Sequence, residues 1–442
     1  MPFSRAPRKS PAPSSLILWL DRPRSQLWCV ASWVVATGIF VGVTTLLGGL
    51  TELDALLSTY SSWSIAHGNV ACAFPPGSSS EFPVAAPLYS LIAGGLAALF
   101  RVGHGISFPN QTALGHSCLH WLAPMTRWSH QTHALTPTLR FGYVGWFVLT
   151  AGIVTVMRAS GRGRNGWEPA VLIAVAFTPP VAMCLEYFFH PQDLLAMGLI
   201  LLGVSCAQRN AWVWAGVLMG LAFASQQFAV LAAALLFVLV PAKRRLVFSL
   251  SAVVVFAAIV LPLMALSSGR ALRVALTGTG ESGPLAHSIE SNWHLTSSSA
   301  NDVLRALPVI AVVVLALWAR RHLSNAVMEP AVLLSLLATS MTFRLVFSGG
   351  LYGYYFMASA ATIVLLDFVR RDFRPEVILW MGVVALVFSP LRSGHDPLTY
   401  GVQMWVWQLV LVPPTVALAV APLVGRIRRQ PSSTPISTDA TT

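Results

Sequence analysis

The chain has 442 residues, 55% of them hydrophobic and only 10% charged, with a mean hydropathy of +0.67, whereas soluble domains carry about 25% charged residues. That shortfall excludes a soluble enzyme, a nucleic-acid binder and a secreted disulfide scaffold, and implies an all-α, polytopic transmembrane protein. The net charge of +12 is carried by arginine (every cation but Lys9 and Lys243) in short clusters between apolar runs, the arrangement of cytoplasmic loops rather than of a polyanion-binding surface.

Residues 1–26 form a basic tail containing Arg5, Arg8, Lys9, Arg22 and Arg24, which predicts a cytoplasmic N-terminus. The apolar run after it is too long for a signal peptide and ends without a small-residue cleavage site, so it is expected to stay as the first crossing, 27–50. Further clusters stand at Arg158/Arg162/Arg164, Arg209, Lys243/Arg244/Arg245, Arg320/Arg321, Arg370/Arg371/Arg374 and Arg426/Arg428/Arg429. If all lie inside, an even number of crossings separates each from the next. Between the N-terminus and Arg158 this leaves 27–50 and 141–157 as crossings, with 51–139 as one large external loop. The apolar stretch 85–100 is then interfacial or re-entrant; its rival reading is a true crossing paired with a hidden one near 112–125.

The same parity rule sends 170–189 outward and 194–207 back. It divides 212–240 into two segments broken at Ser225-Gln226-Gln227, an interruption tolerated where it lines a polar cavity. The stretch 246–266 leads to a second external loop, 267–304, and 307–319, 331–347, 352–369, 377–389 and 402–424 follow. The prediction is a transmembrane domain over 27–425 with about twelve crossings, both termini cytoplasmic, and a disordered tail at 426–442.

This topology sorts the polar residues by side. Every histidine but His322 falls on the outer side, as do most acids, while the inner loops offer little beyond arginine and no nucleotide-binding motif. Chemistry is therefore expected outside the membrane, without direct use of ATP or a sugar nucleotide. Glu52 and Asp54 follow the first crossing and read either as a general base at the mouth of a cavity or as solvated acids marking a helix end. His190-Pro191-Gln192-Asp193, with Glu186 one turn earlier, joins two helix ends; Asp193 either caps the second helix or faces the cavity with His190. Arg344 lies deep in an apolar segment, where an ionisable residue needs a partner or a function. It suits bidentate grip on a lipid-linked phosphate or a structural pair with Glu186 or Asp193. Tyr352, Tyr354 and Tyr355 supply either hydroxyl donors or an aromatic wall.

The pairs His116/His120 and His130/His133 have metal-ligand spacing if helical, yet their Trp- and Pro-containing context suits an interfacial helix, and no metal is assigned. Cys72 and Cys118 share the large external loop; an oxidising compartment permits their disulfide and spacing alone does not decide it.

The run His190-Pro-Gln-Asp-Leu-Leu-Ala-Met-Gly, followed by Arg209-Asn-Ala-Trp-Val-Trp-Ala-Gly-Val-Leu-Met-Gly-Leu-Ala-Phe-Ala-Ser-Gln-Gln, resembles multispanning glycosyltransferases of the C superfamily. Tyr60-Ser-Ser-Trp-Ser-Ile-Ala-His-Gly, Phe74-Pro-Pro and Pro87-Leu-Tyr resemble the first external loop of the same family. The likeness covers about 52–245 and is greatest to actinobacterial mannosyltransferases that use polyprenyl-phosphate sugars. The resemblance implies a catalytic carboxylate in the first external loop, a lipid-phosphate sugar donor and an inverting transfer outside the plasma membrane. Asp54 is the position matching that carboxylate, although it lies six residues before Tyr60 and no Asp-Asp or Asp-Glu pair is present, so Glu52 and Asp193 stay open as the base. Arg344, Tyr355 and His190 are expected on the donor phosphate, and Asp193, Gln227 and Glu52 on the acceptor side. The donor is the one cofactor-like molecule implied, with a divalent metal left open; membrane lipids and a glycolipid or glycan acceptor are the expected partners, and no nucleic acid. The rival class is a transporter or flippase, which broken helices and an intramembrane arginine also suit.

Overall fold

A computed structural model of the chain describes residues 19–47, 53–68, 70–74, 87–102, 139–186, 189–277, 284–294, 296–348, 352–387 and 397–427. Among them there is no strand, and the nearest approach to one is an isolated bridge between Pro23 and Asn165. The helices are α1 (Gln26–Leu47), α2 (Leu53–Ala66), α3 (Pro87–Leu99), α4 (Tyr143–Ala159), α5 (Trp167–Ala176), α6 (Pro179–Glu186), α7 (Pro191–Gln208), α8 (Trp212–Ser225), α9 (Ala229–Leu239) and α10 (Ala242–Leu266). They are followed by α11 (Arg270–Thr277), α12 (Pro284–Trp293), α13 (Ser297–Leu323), α14 (Pro330–Val346), α15 (Met357–Arg370), α16 (Pro375–Val387) and α17 (Pro397–Ile427). A single turn at Val70–Ala73 and 3-10 turns at Ser324–Met328 and Gly353–Phe356 lie between them.

Proline sets many of these boundaries. α3, α6, α7, α12, α14, α16 and α17 all open on proline, whose missing N–H belongs to a first turn that has no intrahelical acceptor anyway. The same chemistry bends the stretch 170–189, expected as one continuous crossing. Pro179 and Pro180 break it after Thr178, and α5 and α6 meet at 62° because proline cannot continue the hydrogen-bond ladder of the preceding turn. The break expected at Ser225-Gln226-Gln227 is present between α8 and α9. The stretch read as the loop 267–304 carries α11, α12 and the start of α13.

Among the described residues, five helices are long and apolar enough to cross a membrane, at Gln26–Thr45, Pro191–Gln208, Ala242–Leu266, Ser299–Leu323 and Gln408–Arg426, with the bent α5–α6 pair as a sixth candidate. Six further apolar helices are shorter, 10–17 residues. Broken and short helices are admissible at membrane depth where neighbours shield their free backbone groups. α1, α10 and α13 turn Leu27, Val34, Leu250, Val254, Ile310 and Val314 outward, as lipid-facing surfaces do. α7 is the opposite case, buried along nearly its whole length at the centre of the bundle.

Helix contact inside a bilayer relies on packing rather than water exclusion, so small residues let backbones approach. α4 and α7 meet this way: a Cβ on Gly152 would lie 2.6 Å from the Gly198 carbonyl oxygen, and one on Gly198 would collide with the backbone of Val148 and Leu149. α14 buries Ser335, Thr339, Ser340 and Thr342, and each hydroxyl donates to a carbonyl three or four residues back in its own helix, at 2.7–2.9 Å, which satisfies it internally.

Several basic clusters converge at one end of the bundle. Arg24 N donates to the Arg164 carbonyl at 2.8 Å and Gly166 N to that of Leu20 at 2.8 Å. Arg371 pairs with Asp21, and Arg158 holds the buried Glu168 at 2.8 Å. Arg245 and Arg320 both donate to the Val238 carbonyl, at 3.0 and 3.1 Å. Most of the external histidines, together with Glu52 and Cys118, lie outside the described residues, as do residues 1–18 and 428–442.

Replacing Gly198 by leucine places side-chain atoms inside the α4 backbone, and we expect a loss of about 1–3 kcal/mol or more. Gly38, whose Cβ position is open, serves as the control. Thermal unfolding of the detergent-purified proteins checks this, and equal midpoints for the two leucine variants would remove close α4–α7 packing as a determinant of the fold.

Candidate active site

Three interruptions of the helical ladder meet around one carboxylate. The first is the entry to α7. Phe189 stands at φ +50°, an uncommon conformation for a bulky residue, and the turn it makes sets His190 as the N-cap and Pro191 as the first residue of α7. The second is the α8–α9 break, where Gln226 is extended, at φ −162° and ψ 139°. The third is the end of α14 and the 3-10 turn that follows it at Gly353–Phe356.

Asp193, two residues after Pro191, is fully buried. No side-chain hydrogen bond caps α7, so the capping role open from the sequence is not the one it takes. Its carboxylate instead accepts from Arg344 Nη1 at 3.3 Å and from Gln226 Nε2. The Gln226 amide is oriented from its other end, because its Oε1 accepts the backbone N–H of Gln227 at 3.1 Å. The position of Asp193 in the first turn of α7 is favourable for an anion, since free N–H groups and the helix dipole point there. Of the alternatives for Arg344, the pair with Asp193 is present; the Glu186 side chain lies outside what is described.

Arg344 is held flat as well as paired. Its Cζ stands 4.3 Å from the centre of the Tyr355 ring and 4.7 Å from that of Phe228, so aromatic faces cover the guanidinium. Its side chain keeps 18% exposure while that of Asp193 has none. Only Nη1 is engaged in a hydrogen bond among the described residues, and the remaining N–H groups are free to bind an oxyanion. His190 stacks on Tyr354, centroids 3.8 Å apart and 12° from parallel, and accepts at Nδ1 from Gln192 Nε2 at 3.0 Å. Tyr352, Tyr354 and Tyr355 form a contiguous aromatic group, with centroids 4.7–5.8 Å apart.

The structure thus brings together Asp193, Arg344, Tyr355 and His190. Gln227, expected on the acceptor side, is half-buried at the same break, but the side chain that reaches Asp193 is its neighbour Gln226. Gln226 as a partner of Asp193, and Phe228, were not singled out from the sequence. The break at Ser225-Gln226-Gln227 marked the first of these, whereas nothing local marks Phe228 as the second ring over Arg344. Asp54 occupies the first turn of α2, and its side chain is outside what is described. Cys72 is on the turn Val70–Ala73, and its expected partner Cys118 is outside the described residues. No three His, Cys, Asp or Glu side chains converge as a metal site among the residues described.

A buried cation fixed by one carboxylate, with spare donors and an aromatic floor, is equipped to receive a phosphate. Residues 133–349 match the family model for Glycosyltransferase family 87. This match indicates glycosyltransferase activity and fits a C-superfamily membrane glycosyltransferase. It contains Asp193, Gln226 and Arg344 and ends before the tyrosine group; Asp54 lies ahead of it. No curated protein and no solved structure matches the chain.

Removing one partner of a buried ion pair leaves an uncompensated charge, at a cost of about 3–5 kcal/mol. Asp193→Asn is expected to destabilise the protein by that order, and adding Arg344→Gln to restore part of the loss. Thermal unfolding of the two single variants and the double variant measures the coupling; strictly additive effects would mean the two charges do not support each other.

Proposed function

We propose that the protein transfers a sugar, mannose in this reading, from a polyprenyl-phosphate donor to a glycolipid or polysaccharide acceptor at the outer face of the plasma membrane. The observation that carries this is Arg344. It is a cation held within an apolar bundle, inside the family-87 match, braced on one edge by Asp193 and open on the others. A prenyl chain dissolved in the bilayer needs only a groove between helices, and its phosphate needs an intramembrane cation. The proposed arrangement keeps about twelve crossings, with the shorter apolar helices crossing in pairs and both termini cytoplasmic.

In the proposed mechanism the acceptor hydroxyl attacks the anomeric carbon, the bond to the donor phosphate breaks, and configuration inverts. Asp54 takes the acceptor proton, the role of the base in inverting glycosyl transfer. Arg344 meets the negative charge that grows on the leaving phosphate, where fixed donors are worth most in a dry site. Its pairing with Asp193 suits this task, since the guanidinium does not have to reorganise as the charge develops. Tyr355 floors the guanidinium, and His190 is assigned with it to the donor phosphate. Gln227 and Glu52 are assigned to acceptor recognition.

Membranes supplied with labelled polyprenyl-phosphate mannose provide the test. Wild type is expected to move label into a new glycolipid or polymer, and Asp54→Asn to lower the rate by about 10²–10⁴-fold at matched protein level. Arg344→Lys, which keeps the charge but loses the planar fork, is expected to slow transfer while leaving acceptor KM nearly unchanged. Transfer that survives Asp54→Asn would move the base to Glu52 or Asp193. Absence of transfer from every lipid-phosphate sugar tried would favour the transporter or flippase reading.

A further inference from the structure

A second cationic site lies at the other end of α14, some 9–13 residues before Arg344 and so roughly 14–20 Å along the helix axis. The first turns of α14 and the last turns of α15 and α17 enclose a cavity of about 290 Å³. Arg370 and Arg426 enter it from two different helices, Ser335 adds a hydroxyl, and Val332, Pro422 and Leu423 give it an apolar wall. We propose that this cavity binds the phosphate of an anionic glycerophospholipid at the membrane surface, with the acyl chains running out along α14 and α17.

The electrostatics of the lining favour an anion. Arg370 gives Nη2 to Asp372 at 3.0 Å, and Arg426 gives Nη2 to both carboxylate oxygens of Glu329, at 2.8 and 2.7 Å. Both acids are half exposed, at 53% and 50%, and neither lines the cavity. Each guanidinium is therefore steadied from outside by its Nη2, and its Nε and Nη1 have no partner among the described residues. Ser335 keeps its proton on the Ala331 carbonyl, at 2.9 Å, so the donors to a ligand are the two arginines. The free N–H groups opening α14 add positive potential at Ala331 and Val332. The last carbonyls of α15 and α17 oppose it, and the arginines at those two C-termini offset them.

The apolar wall distinguishes a lipid from a free anion. Gln408–Arg426 is one of the helices long and apolar enough to span a bilayer, and Arg426 ends it, so the cavity opens where that span reaches the interface. Basic pockets between transmembrane helices at this level take lipid head groups. The site sits among the basic clusters, at the opposite end of α14 from the proposed catalytic arginine, and the inference does not depend on the reaction assigned there.

The full-length protein, purified in a neutral detergent, would be titrated with phosphatidylglycerol, phosphatidylcholine or inorganic phosphate, reading bound lipid by native mass spectrometry and thermal stability in parallel. Phosphatidylglycerol is expected to bind as a retained single equivalent and raise Tm, with phosphatidylcholine and phosphate doing neither. Arg370→Gln or Arg426→Gln should weaken binding about 5-fold each, and the double variant about 30-fold. Ser335→Leu, which fills the cavity while leaving both arginines, should also abolish the retained lipid, and its Tm without lipid reports whether it folds. Equal protection by inorganic phosphate would overturn the lipid assignment. Undiminished phosphatidylglycerol binding by the double variant would overturn the site.

Discussion

The contact between Asp193 and Arg344 is the constraint around which the rest of the bundle is arranged. Taking two charges out of water costs several kcal/mol each, and the interior of a membrane bundle offers no solvent to return to. The pair persists because each member is given more than the other: Asp193 has a helix N-terminus and the Gln226 amide, and Arg344 has two aromatic faces. Those supports come from three separate stretches of chain, and each is available only because a helix ends there. Regular helices would have hidden these polar groups in their own ladders.

The breaks therefore build the polar site rather than interrupt the fold at random. An extended Gln226 between α8 and α9 puts its amide at the carboxylate, and the turn at Phe189 starts α7 where its N-terminus faces Arg344. The close α4–α7 contact at Gly152 and Gly198 then holds α7, and with it Asp193, against the bundle. A guanidinium fixed this way is pre-organised for an oxyanion, and it lies within the residues that match family 87. The two cationic sites stand at opposite ends of α14. The one beside α15 and α17 is edged by solvated acids and opens at the interface, while Arg344 sits deep and is paired with a buried carboxylate.

Much of this was legible in the sequence. The all-helical membrane class followed from hydropathy, and the interruption at Ser225-Gln226-Gln227 from a run too long for one span and too polar at its centre. Arg344, His190 and Asp193 stood out because charged and imidazole groups in apolar segments demand partners. The sharp bend between α5 and α6 was missed, although Pro179 and Pro180 announce it, because the apolar run continues unbroken across them. Gln226 and Phe228 were missed for a different reason: a glutamine beside a glutamine and a phenylalanine in an apolar helix have no local signature of the partner they meet.

Composition and periodicity determine what each segment is, because burial, proline geometry and the cost of an unpaired charge act residue by residue. They specify that Arg344 needs an anion but not which one, since Glu186 and Asp193 both stand at the same pair of helix ends. The tertiary structure places Asp193 against Arg344. It did so because the entry turn of α7, the extended Gln226 and the C-terminal end of α14 converge on that carboxylate, a meeting of segments up to 151 residues apart that no local pattern encodes.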